Sequence, residues 1–241
     1  MLRPLGFMVL LGASTVSAAS ADVAWGPRYP VERQTEISWA MVELRNAQVN
    51  ISVRRSDSEG SGDSAGAAIP CGAVAQVECS FELYCTAAAP PRQPFPLIFP
   101  VTRADDPAIE VTDLTVWIDS VEIKDVVYSA DMRFPPYDWS YRGYRFSGEV
   151  ETQRTMHVQV NYTMPLAMTR SEAFFRYVLR SGGTWSAPIL KETVIVHAGR
   201  GLAVHPLSAK TLKPIIGGGT ITWMLRNSRP AEDIELWVRA L

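Results

Sequence analysis

Between residues 156 and 164 the chain alternates without exception. Met156, Val158, Val160, Tyr162 and Met164 are apolar, and His157, Gln159, Asn161 and Thr163 between them are polar. Successive side chains of an extended strand project to opposite faces, so this pattern buries one face and wets the other. A helix would spread the same apolar residues around its circumference and leave none of its faces dry.

The period of two recurs along the chain, and long helical periodicity is nearly absent. Strands are predicted at Ile37 to Leu44, Val49 to Val53, Val77 to Cys85, Ile109 to Ile118 and Val121 to Tyr128. Others are predicted at Phe174 to Arg180, Thr193 to His197, Ile221 to Leu225 and Ile234 to Val238. Within the Ile109 segment the apolar parity shifts between Val111 and Leu114, which predicts a bulge or an edge. Short strands with turn residues between them predict an all-β fold, an antiparallel β-sandwich of immunoglobulin-like or jelly-roll-like kind. Its length allows one large or two small sandwich units.

Two stretches break the rhythm. Residues 56–70 are rich in Gly, Ser and acid and are expected to form a mobile loop or linker. Residues 87–100 carry five prolines and predict an extended connector or edge segment, because proline removes a ladder donor. On this basis residues 22–104 form an N-terminal β region and residues 105–241 a C-terminal sandwich. Gly217-Gly218-Gly219 stands just before a strand, so it is expected to turn a hairpin and not to cradle a phosphate.

Residues 1–21 read as a secretory signal peptide: Arg3, an apolar run from Leu5 to Val16, and small residues ending at Ala19-Ser20-Ala21. Cleavage near Ala21 would deliver the chain to the periplasm or the outside of the cell. No later stretch reaches the length of a membrane-spanning helix, so the mature chain is expected to have no transmembrane segment. A net charge of −2 offers no electrostatic case for nucleic acid. Export makes a disulfide plausible among Cys71, Cys79 and Cys85. Cys79 and Cys85 share a strand, and six residues of strand hold their backbones about 20 Å apart. Cys71 is therefore expected to be one partner, with Cys79 or Cys85 the other.

Catalytic signatures are missing. His157, His197 and His205 have no metal-ligand spacing, and no nucleophile elbow or P-loop occurs. Asp105-Asp106-Pro107 reads as a turn. The chain is expected to be no enzyme and to need no cofactor or metal. Its one locally unusual feature is the aromatic segment 134–146, in which Tyr137, Asp138, Trp139, Tyr141, Arg142 and Tyr144 form a candidate binding set. Rings beside charged groups stack on sugars or anchor a protein partner. The competing reading is a long loop folded over one end of the sandwich, its rings filling the gap.

The last third carries a further pattern: Tyr177, then Gly182-Gly183-Thr184-Trp185-Ser186-Ala187-Pro188, then Trp223, then Asn227-Ser228-Arg229-Pro230 and Asp233-Ile234. Over residues 172–240 this resembles an uncharacterised group of exported bacterial β-sandwich proteins, a domain of unknown function. The resemblance implies an all-β exported fold and no particular activity. Read as architecture, Gly182-Gly183 permits positive φ at a turn, Trp185 and Pro188 cap the core, and Asn227 to Pro230 turn the chain into its last strand. Together these readings predict an exported, non-enzymatic protein that binds a protein or cell-envelope component through loops or an exposed sheet edge. A carbohydrate-binding module using the 134–146 aromatics is the alternative.

Overall fold

A computed structural model describes residues 42–56, 72–86, 93–106, 109–133, 140–168, 172–185, 187–207 and 211–241. The expected signal peptide, the 56–70 loop beyond Ser56, Cys71 and the candidate binding residues Tyr137, Asp138 and Trp139 lie outside the described residues.

The fold is all-β, as the alternation requires, and its strands form three sheets. The large sheet holds β1 (Val42–Arg55), β2 (Ala73–Cys85), β4 (Thr112–Ile118), β5 (Val121–Glu122), β8 (Thr155–Pro165), β11 (Ile189–Ala198), β13 (Ile215–Gly217) and β14 (Thr220–Ser228). Their order is β13-β14-β11-β1-β2-β8-β4-β5, so the sheet takes strands from both sides of residue 105. Pairing is antiparallel except between β1 and β11, which run parallel near its middle. A second sheet orders β3 (Gln93–Arg103), β7 (Ser140–Val150) and β6 (Val127–Arg133), with β7 central. The third orders β12 (Leu202–Pro206), β15 (Ile234–Ala240), β10 (Ala173–Tyr177) and β9 (Ala167–Met168).

One continuous core draws on all three sheets: Val49, Val77 and Val160 from the large one, Phe99 and Phe146 from the second, Phe175 and Leu236 from the third. Phe99 is the link between layers, with its ring 6.4 Å from that of Phe81 on β2 and 5.6 Å from that of Tyr162 on β8. The alternating segment 156–164 is β8, with Val158 and Val160 fully buried and His157 and Gln159 exposed. Cys79 and Cys85 both stand on the buried face of β2, opposite Val49 and Val42. Among the described residues no disulfide is present.

The irregularities have local causes. Asp113 sits at φ 55 where the β4–β8 register shifts between Thr112 and Thr115, the bulge that the parity change predicts. A second shift between Leu44 and Asn46 leaves β1 one continuous strand, although its two halves present opposite parities. The proline-rich β3 is an edge strand, as its missing N–H donors demand. Gly218 and Gly219, at φ 58 and 77, make the two-residue turn joining β13 to β14. The Gly182 region departs from expectation: residues Arg180–Thr184 form a 3-10 turn and not a positive-φ turn. The reason is long-range, because the carboxylate of Asp233 accepts the backbone N–H groups of Leu179 and Arg180 at 3.1 and 3.0 Å and holds the turn at its start.

Candidate functional site

The aromatic segment divides. Residues 140–150 are not a loop but the central strand β7. Tyr141 is fully buried, and its hydroxyl accepts a hydrogen bond from Arg180 Nε at 2.9 Å. Burial pushes its phenol up to about 12, with the Asp233 carboxylate adding to the rise and Arg180 opposing it. Arg142 donates to the carbonyls of Asp106 and Ala104 at 2.8 and 2.7 Å, which fixes the 104–106 turn. Tyr144 stays partly exposed and packs edge-on against Tyr128 at 5.5 Å. Desolvation raises its phenol, and the neighbouring Tyr128 and Glu110 add to that.

Tyr141 belongs to a polar joint between the second and third sheets. Arg180 also reaches Asp233 at 3.3 Å, and the Asp233 side chain is only 4% exposed. Burial raises the Asp233 carboxyl above its usual value even though the backbone N–H and guanidinium of Arg180, with Arg176 and Arg103 nearby, pull it down. Beside them Arg176 bridges Asp106 and Glu235. Tyr177, Trp185, Trp223, Pro230 and Ile234 of the C-terminal pattern are buried around this joint or in the adjoining core. The side chain of Arg229 donates to the carbonyl of Trp185.

Two concavities lie among the described residues. One, of about 470 Å³, lies at the β4–β5 edge of the large sheet. Its floor is Ile118, Val121, Ile123 and Met156, and its rim charges are largely engaged. Arg154 pairs with Glu151 at 2.9 Å, and Asp119 accepts the backbone N–H of His157 at 2.9 Å.

The second concavity, about 350 Å³, lies at the opposite edge, beside β14. It is lined by Leu212, Lys213, Met224, Arg226, Arg229 and Pro230, among others. Strand β13 pairs with β14 only over Thr220 to Thr222, and the chain before it leaves the ladder at Pro214, which has no N–H to give. Among the described residues, the outer edge of β14 from Trp223 onward therefore has no neighbouring strand. Gly217 and Thr220 flank a two-residue turn and are a hydrogen-bonded pair. By the alternation of the ladder, main-chain groups of Thr220, Thr222, Met224 and Arg226 point to this edge, and those of Trp223 and Leu225 point to β11.

The side chains around the open edge are apolar and basic. Ile215, Ile216 and Met224 are 57%, 66% and 60% exposed. Arg226 stands opposite Lys191 of β11 on the outer face, both are exposed, and among the described residues neither is in an ion pair. Lys213 on the groove wall is likewise exposed and outside any ion pair among the described residues. Sequence reasoning named the class of feature, an exposed sheet edge, but none of these residues.

Among the described residues no group of three His, Cys, Asp or Glu side chains is placed to hold a metal, and no helix is long and apolar enough to cross a membrane.

No protein-family model matches this chain, and no curated protein matches it in sequence. Its fold is similar to the crystal structure of a "putative nutrient binding protein" from Legionella pneumophila. The TM-score is 0.60 at 13% identity, over 84% of this chain and 68% of that one. A lower likeness, TM-score 0.38 at 7% identity, links 83% of this chain to 42% of an M1 zinc metallopeptidase from Deinococcus radiodurans. At these identities the Legionella protein shares the fold, and the metallopeptidase supports no statement about this chain.

Proposed function

We propose that this chain is an exported, non-enzymatic binding protein that engages a protein or cell-envelope component at the β13–β14 edge of its large sheet. The observation that carries this reading is the outer edge of β14, unpaired among the described residues and opening onto a groove, with Ile215 and Met224 exposed beside it. An exposed strand edge is a template for pairing, and exposed apolar side chains next to it mark a place where another surface is gained. A binding role is also what is given to the Legionella protein of the same fold. The candidate set in 134–146 fits this role less well, since Tyr141 is inside the core and Arg142 is committed to the 104–106 turn.

Site-directed photo-crosslinking in the native cells tests the reading. A benzophenone side chain at position 215 or 224 is expected to give a discrete adduct, and one at Gln159, on the same face but far along the sheet, to give none. Absence of adducts from 215 and 224, or equal adducts from all three positions, would overturn it.

A further inference from the structure

We infer that the groove beside β14 takes an extended, acidic peptide segment of a partner protein, which adds to the large sheet as a strand. This rests on the proposed binding role and specifies its chemistry. Among the described residues, the main-chain groups left open are those of Met224 and Arg226, two residues apart, which is the repeat with which a strand presents its donors and acceptors to a neighbour. A segment laid along them extends the line of β13 and restores the ladder that ends at Thr222.

The side chains set the chemistry of that segment. On the outer face its residue opposite Met224 meets an apolar neighbour, and its residue opposite Arg226 meets a positive charge. Lys191 stands directly behind Arg226 in a non-hydrogen-bonded pair, the kind in which side chains approach most closely. Like charges placed opposite each other are unfavourable, and a carboxylate beside them relieves both. Lys213 adds a third positive charge on the groove wall. The fit is an apolar residue and an acidic residue two positions apart in an extended segment. A second copy of this chain is disfavoured at this edge, because edge-to-edge pairing would bring Arg226, Lys191 and Lys213 against their own counterparts.

Fluorescence anisotropy with synthetic eight-residue probes tests the inference on the full mature chain. The probe alternates Thr with Val and Glu in turn, and the controls replace Glu by Lys or methylate alternate backbone nitrogens. The acidic probe is expected to bind at least tenfold more tightly than the Lys probe, to weaken with added salt, and to lose binding on N-methylation. The double variant Lys191→Glu, Arg226→Glu is expected to reverse the preference between the two probes, and Met224→Pro to lose both. Binding that ignores N-methylation, an unreversed preference, or no binding by the acidic probe would overturn strand addition by an acidic segment. Crosslinking at 215 and 224 would still stand or fall by itself as the test of the binding role.

Discussion

Lys191 and Arg226 face each other across β11 and β14 on the outer face of the large sheet, two exposed cations placed where side chains come closest. Along the same stretch, from Trp223 onward, β14 has no outer neighbour among the described residues, because β13 ends its pairing with Ile215 opposite Thr222. Charge and open backbone therefore coincide at one edge, and this coincidence separates it from the β4–β5 cleft, whose Arg154 and Asp119 are engaged within the chain.

The alternation of donors along β14 makes two proline substitutions unequal. Met224→Pro removes an N–H that points to the open edge, and its cost is expected to stay below about 1 kcal/mol, as for proline on an edge. Leu225→Pro removes an N–H given to β11 and is expected to cost about 3 kcal/mol or more. Urea unfolding of the two variants measures the difference, and equal losses would place the donors otherwise.

Gly143 is required by contact. A Cβ there would lie 2.1 Å from the carbonyl oxygen of Phe99 and 2.8 Å from Cα of Pro100, both backbone atoms of the adjoining strand. Gly143→Ala is expected to destabilise the chain by about 2–3 kcal/mol by forcing β3 and β7 apart. Denaturant midpoints at unchanged m-value check it.

Asp233 holds the third sheet to the second through Arg180. Asp233→Ala leaves Arg180 without its carboxylate and the 3-10 turn without its cap, and is expected to cost about 3 kcal/mol. The raised carboxyl also has a pH signature. Between 3.8 and its raised folded value the unfolded chain ionises Asp233 first, so this group lowers stability as pH rises through that window. Asp233→Asn is expected to remove that downward contribution, so the stability of the parent relative to the Asn chain rises as pH falls through the window, which urea unfolding at several pH values measures.

Tyr141 has the same sign at the alkaline end. Its phenol ionises at about 12 when folded and near 10 when unfolded, so stability falls as pH rises from 10 to 12. Phenolate absorbance of the folded chain is expected to show a late component near pH 12 that Tyr141→Phe removes, and retention of that component would assign it elsewhere.

Much of the fold was legible where one face is wet and the other dry. β8 is read directly from Met156 to Met164, and the Asp113 bulge from its parity change. Other strands were hidden by physics that local patterns do not carry. The Leu44–Asn46 register shift inverts parity within β1, so one strand reads as two. β7 buries Tyr141 and Gly143 on one face and Phe146, Gly148 and Val150 on the other, so it has no constant period and reads as a loop. The candidate site was less legible still. Its open edge exists because pairing stops at Pro214, and Lys191 meets Arg226 only through a register joining residues 35 positions apart in sequence.

Residue-resolved amide exchange along β14 of the unliganded chain tests the open edge most directly. The account predicts slow exchange at Thr222, Trp223 and Leu225, and fast exchange at Met224 and Arg226, with those two amides slowed by the acidic probe. Uniform protection from Thr220 to Arg226 in the unliganded chain would contradict it.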